Sequence, residues 1–411
     1  MPRDPLDQIR VVALSVLAFL LMLSYAVARP AVEGLFLKSL KPSQLPVVWL
    51  LVAAVVVGVV ALYARVVHRV EQMRLFSVTA VASALILAAL LAARDAGLPG
   101  MDYLLYTWKD VYVVLLVEIF YSYANSVFAI RTARWVYGLF GFLAGVGGVV
   151  GSLVVRRWAE VVGAARLLRG VPPLLLLIGG ASLLLARRAG ASLPGSDGTP
   201  RLGDGVRTVS SSRYLSLLLL LVAVTQTVIT LVDYQFNEVA ERAFSTEDRL
   251  SAMIATVYGV INVATLALHA ATGPVLRLAG VPLTLLAIPL LLGGGLLGFV
   301  IVPVFATIAA IKVASKCFDY SIFRTAKEIL YIPLSFEEKT RGKFVVDMVT
   351  YRVAKGGASL LLLGLVTVAG AGHLVTPLDF ALVAGWLLVT LGIARRFRGL
   401  VSRDQELRSR H

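Results

Sequence analysis

The chain has 411 residues, of which 58% are apolar and only 15% charged, against roughly 45–50% and 25% in soluble domains. Its formal net charge is +15, it has one cysteine, Cys317, and its four histidines (His68, His269, His373, His411) are scattered. A water-soluble fold, an intrachain disulfide and a thiolate or histidine metal cluster are excluded. The basic excess sits in short loops and the C-terminal end, so it reads as a topology signal rather than a nucleic-acid surface.

The apolar residues come in blocks of about twenty, the length needed to cross a ~30 Å hydrocarbon core. The first run, around Val11–Leu23, lacks a small-residue cleavage site and leads into further apolar blocks. It is expected to be a retained first helix, not a signal peptide. Helices are expected at 9–29, 45–64, 75–93, 103–130, 135–157 and 165–186. A polar, glycine-bearing stretch over 187–213 (GASLPGSDGTPRLGDG) interrupts them. Six more are expected at 214–240, 250–272, 281–302, 303–330, 342–369 and 377–395. The pattern describes an all-α polytopic membrane protein with about twelve transmembrane helices. Its parts are a six-helix bundle (1–186), a cytoplasmic linker (187–213), a second six-helix bundle (214–395) and a basic cytoplasmic tail (396–411). With the N-terminus inside, the inward segments hold about twice as many lysines and arginines as the outward ones. Both termini are therefore expected in the cytoplasm.

Charge is unevenly distributed among the blocks. Helices 2, 3, 6, 9 and 12 carry none in their apolar interiors. Helix 1 ends in Arg29 and Glu33, and helix 4 holds Lys109, Asp110 and Glu118. Helix 7 holds Asp233 and Glu238. Helix 10 holds Lys312, Lys316, Asp319, Arg324, Lys327 and Glu328, and helix 11 holds Asp347, Arg352 and Lys355. The spacing 1, 4, 7, 10 suggests repeated three-helix units. A charged side chain at a helix centre costs roughly 2.5–3.5 kcal/mol. Four or five facing lipid would cost on the order of 10–15 kcal/mol, comparable to a whole protein's stability. They are expected to face protein or a water-filled cavity.

Helical spacing supports this. Lys312, Lys316, Asp319 and Lys327 lie near one stripe, as do Glu118, Tyr121 and Asn125, and Asp347, Tyr351 and Lys355. Depth along each helix puts Glu118, Lys316, Asp319 and Lys355 near mid-membrane. The candidate substrate-binding residues are thus Arg29, Glu118, Asp233, Lys316, Asp319 and Lys355, with Glu33, Lys109, Lys327, Asp347 and Arg352 as secondary candidates. They are expected to meet between the two halves. Buried ion pairs that only lock helix packing are the plainer alternative. Glycines of helix 5, Gly141/Gly145 and Gly147/Gly151, have the G-x-x-x-G spacing that lets helices approach closely. Gly356 and Gly357 fit either a helix thinned beside a ligand or admission of helix 10.

The segment SKCFDYSIFRTAKEILYIPLSFEEKTRGKFVVDMVTYRVAKGG, residues 315–357, resembles the ATP/ADP translocase (nucleotide transporter, or Tlc) family of obligate intracellular bacteria and plastids. The stretches LLVEIFYSYANSVF (115–128) and TLVDYQFNEVAERAF (230–244) are similar to it as well. The resemblance implies a divergent bacterial member with a major-facilitator-like fold of two six-helix bundles. It also implies alternating-access exchange of a nucleotide or related anion, without covalent chemistry, cofactor or metal. In that family the first-helix motif, the helix 4 acid, the helix 7 acid and the helix 11 lysine matter. Glu118, Asp233 and Lys355 occupy the last three positions. In the first helix Arg29 and Glu33 match, whereas Val32 stands where the family has lysine.

The leading expectation is a secondary carrier, antiporter-like, for a nucleotide-like or otherwise anionic solute, embedded in the lipid bilayer. A monomer is compatible with the sequence, which does not set the oligomeric state. The alternatives are a carrier of a lipid, peptide or organic acid on the same scaffold, which Val32 favours, and a non-transporting membrane sensor or partner protein.

Overall fold

The computed structural model describes residues 5–66, 69–128, 130–189, 202–335, 338, 342–343, 345–368 and 370–409. The central stretch of the expected linker, 190–201, lies outside them. The described residues are helical, with no strand among them. The helices are α1 (Pro5–Leu40), α2 (Leu45–Val66), α3 (Gln72–Asp95), α4 (Met101–Val127), α5 (Ile130–Val162), a short α6 (Ala164–Leu168), α7 (Val171–Ala189), α8 (Leu202–Ser211), α9 (Arg213–Ala243), α10 (Glu247–Ile301), α11 (Phe305–Phe318), α12 (Arg324–Leu330), α13 (Thr350–Leu362) and α14 (Val375–Ser409).

Nine helical segments among the described residues are long and apolar enough to span a bilayer. Three facts bring that number to the expected twelve. α10 has 55 residues, about 80 Å at 1.5 Å per residue, far more than one ~30 Å crossing. It divides at Gly280, whose φ of 73° leaves the helical region. The sequence suggested a loop over 273–280; instead the helix continues through Pro274 and breaks at that one glycine. α4 is long enough, but Asp102, Lys109, Asp110 and Glu118 reduce its apolarity. The α11–α12 segment is divided by a wide turn over Asp319–Phe323, in which the hydrogen bonding loosens to i→i+5.

The chain forms two compact units. The first comprises Met1–Asp197 with Glu241–Val263, and the second Gly198–Ala240 with Ala264–His411. The start of α10 therefore groups with the first unit, unlike in a division at the linker. Small residues explain the association. A Cβ on Gly34 would overlap Ser251 Oγ on α10, one on Gly148 would come within 2.7 Å of Asn262, and one on Gly259 within 3.2 Å of Ser152. At the end of α1, the Lys38 Nζ donates to the Glu241 carboxylate at 3.1 Å and to its backbone carbonyl at 2.7 Å.

Within the same unit α1 lies along α5. A Cβ on Gly151 would sit 2.7 Å from the Leu23 carbonyl oxygen, and one on Gly147 would overlap that of Phe19. The Gly147/Gly151 spacing is thus a packing seam, while Gly141 has no neighbour within 4 Å. Gly147→Ala should destabilise the protein by about 1–3 kcal/mol, because a backbone carbonyl cannot swing away. Gly141→Ala should be neutral or stabilising by up to about 1 kcal/mol through helix propensity. Thermal unfolding in detergent compares the two.

Candidate functional site

In the second unit α9 and α11–α12 run antiparallel, and their polar residues pair in register. The Lys312 Nζ lies 4.0 Å from the centre of the Phe236 ring, and Lys316 meets Asp233. Farther along, Gln226 donates to Asp319 at 3.2 Å, and the Tyr214 hydroxyl donates to the Leu330 carbonyl at 3.0 Å. Gln226 and Asp233 are seven residues apart, two turns on one face of α9. Lys312 and Lys316 are one turn apart on α11. Two matched stripes thus bring these groups together.

Asp233 is the centre of this arrangement. Its Oδ2 accepts from Lys316 at 2.6 Å, and its Oδ1 lies 3.5 Å from the Lys312 Nζ. Lys312 and Lys316 are only 1% and 4% exposed, so one half-buried carboxylate balances two buried ammonium groups. Lys355, on α13, is close enough to act on Asp233, Lys316 and Asp319 electrostatically. It is half-buried and held by Tyr351, with its Nζ 4.7 Å from the ring centre. No carboxylate among the described residues lies within 4 Å of it. Gly356 and Gly357 beside it have no neighbour within 4 Å, so they thin the helix next to open space and do not admit another helix. The five charged groups, Lys312, Lys316, Lys355, Asp233 and Asp319, leave one positive charge unbalanced when all are ionised.

Toward the end of α12, Lys327 pairs with Asp347 at 2.8 Å, and the Tyr331 hydroxyl donates to the same carboxylate at 3.0 Å. Burial, with Asp347 beside it, pushes the Tyr331 hydroxyl well above its ordinary range, so it remains a donor. Lys343 pairs with Glu328 at 2.5 Å. These contacts tie α12 to the segment leading into α13. Arg352 is exposed and has no carboxylate within 4 Å among the described residues.

The first unit holds a separate constellation. Arg29 pairs with Glu33 at 3.0 Å across one turn of α1. Lys109 lies 3.6 Å from Glu33 and 2.9 Å from Asp110. Aromatic faces complete the shell. The Arg29 guanidinium stacks 3.9 Å above Tyr258, and the Lys109 ammonium 3.8 Å above Tyr106, whose hydroxyl accepts from Trp49. Two cations and two carboxylates make this group neutral when ionised. Val32 is 1% exposed, packed into the core beside it.

The sequence expectations fare unequally. Asp233, Lys316, Asp319 and Lys355 come together, as do Arg29, Glu33 and Lys109. Glu118 joins neither group: it is exposed, with no lysine or arginine within 4 Å among the described residues. Nine residues separate it from Lys109, which at about 100° per residue puts it on the opposite side of α4. Lys312 belongs to the cluster although only its stripe position pointed to it. Asp379 was overlooked. It sits just past the first turn of α14, where a single acid near a helix start reads as an ordinary surface residue, yet its side chain is fully buried.

Residues 199–397 match the model of a family described as TLC ATP/ADP transporter. The ADP,ATP carrier protein 1 of Chlamydia muridarum is 26% identical over 346 residues, 72% of this chain and 65% of that protein. The chloroplastic ADP,ATP carrier protein 1 of Arabidopsis thaliana is 24% identical over 341 residues, 72% of this chain and 54% of that protein. Over residues 199–397 the chain is similar to the TLC ATP/ADP transporter family. The TLC match contains the whole 315–357 segment, and with it Lys316, Asp319 and Lys355. The first-helix residues Arg29, Val32 and Glu33 lie outside it. The chain spans less than two thirds of the length of these curated relatives. Among solved structures, the POT family transporter PepTSo superposes with a TM-score of 0.67 at 11% identity, covering 98% of this chain and 99% of that one. The nucleoside transporter NupG gives 0.62 at 11% identity, with 95% and 98% covered. At such identities the likeness establishes the fold alone, that of major-facilitator-type carriers.

Proposed function

We propose that this protein is a secondary carrier that exchanges a nucleotide or a related anionic metabolite across a membrane by alternating access. The observation carrying the reading is Lys355: a half-buried ammonium with no carboxylate at hand, beside two glycines facing open space, in a cluster with one positive charge in excess. An uncompensated cation at membrane depth is stabilised by an anionic ligand. Lys355 is assigned direct contact with the anion, and Asp319 and Gln226 the polar positions next to it. Lys312, Asp233 and Lys316 form an ion-pair switch whose partners rearrange as the anion enters. Arg29, Glu33 and Lys109 are assigned the corresponding role in the first unit. The lysine and arginine distribution supports both termini in the cytoplasm, and we place the chain in a bacterial inner membrane. The test is uptake of labelled ATP into proteoliposomes preloaded with ADP. Uptake that rises with internal ADP supports exchange; uptake that ignores it overturns the reading.

A second reading, a smaller or less charged substrate on the same scaffold, is favoured by Val32, whose buried position leaves the first-helix motif without its third charge. A thermal-shift series separates the two. A true ligand at a hundred times its Kd should stabilise the protein by about 2.7 kcal/mol. ATP and ADP are expected to raise the unfolding temperature; a shift with organic acids alone favours the second reading.

A further inference from the structure

Asp379 is fully buried just past the first turn of α14, inside a membrane-spanning segment. Its Oδ2 accepts from the Gln235 side-chain amide at 2.9 Å, and the Gln235 carbonyl oxygen in turn accepts from the Thr376 hydroxyl at 3.0 Å. Its Oδ1 is buried and has no hydrogen-bond partner among the described residues. The elements around it offer no charge. α9 presents Gln235, α10 meets α14 through Gly293 and Val383, and Phe323 packs on Trp386. No lysine or arginine among the described residues lies within 4 Å. Asp233, two residues before Gln235 and about 200° around α9, is held by its two lysines.

An ionised carboxylate in such a place costs several kcal/mol, so something must neutralise it. A hard metal cation needs about six or more oxygen ligands. Here one carboxylate oxygen is uncommitted, and no metal-holding group of three or more His, Cys, Asp or Glu occurs among the described residues. A proton needs only that oxygen. We infer that Asp379 is a proton-binding site, and that proton occupancy there is coupled to anion occupancy at the lysine cluster through α9. The physical link is short: Asp233 and Gln235, two residues apart on one helix, hold the lysines on one side and Asp379 on the other. A change in Asp379 ionisation alters the Gln235 hydrogen bond and so favours one placement of α9 over another. Coupling of this kind is reciprocal.

The role in transport rests on the carrier reading; the protonation itself does not. Two measurements separate them. In proteoliposomes, wild-type accumulation of labelled ATP should change with an imposed pH gradient by up to about tenfold per pH unit, the limit for one proton per cycle. Asp379→Asn, which keeps the shape of the neutral acid, should be indifferent to the gradient, and Asp379→Glu should regain sensitivity. In infrared spectra of purified protein at neutral pH, wild type should show a protonated-carboxyl C=O band that Asp379→Asn lacks. If wild type moves no nucleotide, the carrier reading fails and the infrared comparison alone decides the site. Identical infrared spectra, or an Asp379→Asn variant that follows the gradient like wild type, overturn the inference.

Discussion

Asp233→Ala should cause the largest loss of stability of any single substitution in the charged clusters, and should abolish uptake as well. The residue balances Lys312 and Lys316, both almost without solvent contact. Removing one partner of a buried ion pair costs about 3–5 kcal/mol, because the remaining charge is left without compensation. Here two charges are orphaned. The aromatic face of Phe236, 4.0 Å from Lys312, offsets only part of that, since such contacts contribute about 0.5–2 kcal/mol. The double variant Asp233→Ala/Lys316→Met should recover much of the lost stability, because one stranded charge is gone and its stem remains. It should not recover transport. Thermal unfolding and uptake, measured on both variants, give the comparison. A double variant no more stable than the single one would mean that Lys316 is solvated and that the pair does not hold the fold. By contrast, Glu33→Ala should cost less. Arg29 keeps the Tyr258 face, and its side chain is 21% exposed to solvent.

Asp233 stands out as a candidate in the sequence; what it touches does not. The apolar blocks fixed the number of crossings, because length against bilayer thickness leaves little freedom. The helical period likewise predicted that Lys312, Lys316 and Asp319 share a stripe. The α9 residues that would meet them depend on the antiparallel register of two helices distant in sequence, which no local pattern encodes. Glu118 shows the limit of depth as a criterion. It lies at the right level in α4 but on the side opposite Lys109. Asp379 shows the limit of local chemistry, since an acid near a helix start is ordinary in an exposed helix. Only the packing of α9 and α10 around it makes that carboxyl an inside group. Gly280 likewise reads as part of a loop until its φ shows one glycine dividing a 55-residue helix.

Lys355→Ala should spare the fold and disable transport, the converse of Asp233→Ala. The lysine is half-buried and pairs with no carboxylate among the described residues, so its removal strands no opposite charge. Stability should therefore change by less than about 1 kcal/mol, as for substitutions outside the mechanisms that cause large losses. The contact with an anionic ligand proposed for it is another matter. A hydrogen bond to a charged group contributes about 1.5–3 kcal/mol, which is roughly a 10- to 150-fold rise in the KM for nucleotide. Uptake at low substrate should fall in the same proportion. Lys355→Arg should keep the charge but spread it over a planar fork, on a helix that Gly356 and Gly357 leave open on the adjacent side. An intermediate KM is expected for that variant. The measurement is initial uptake against substrate concentration for the three proteins. An unchanged KM in Lys355→Ala would remove this residue from the binding site, and with it the reason to place the anion on the second unit's lysine cluster.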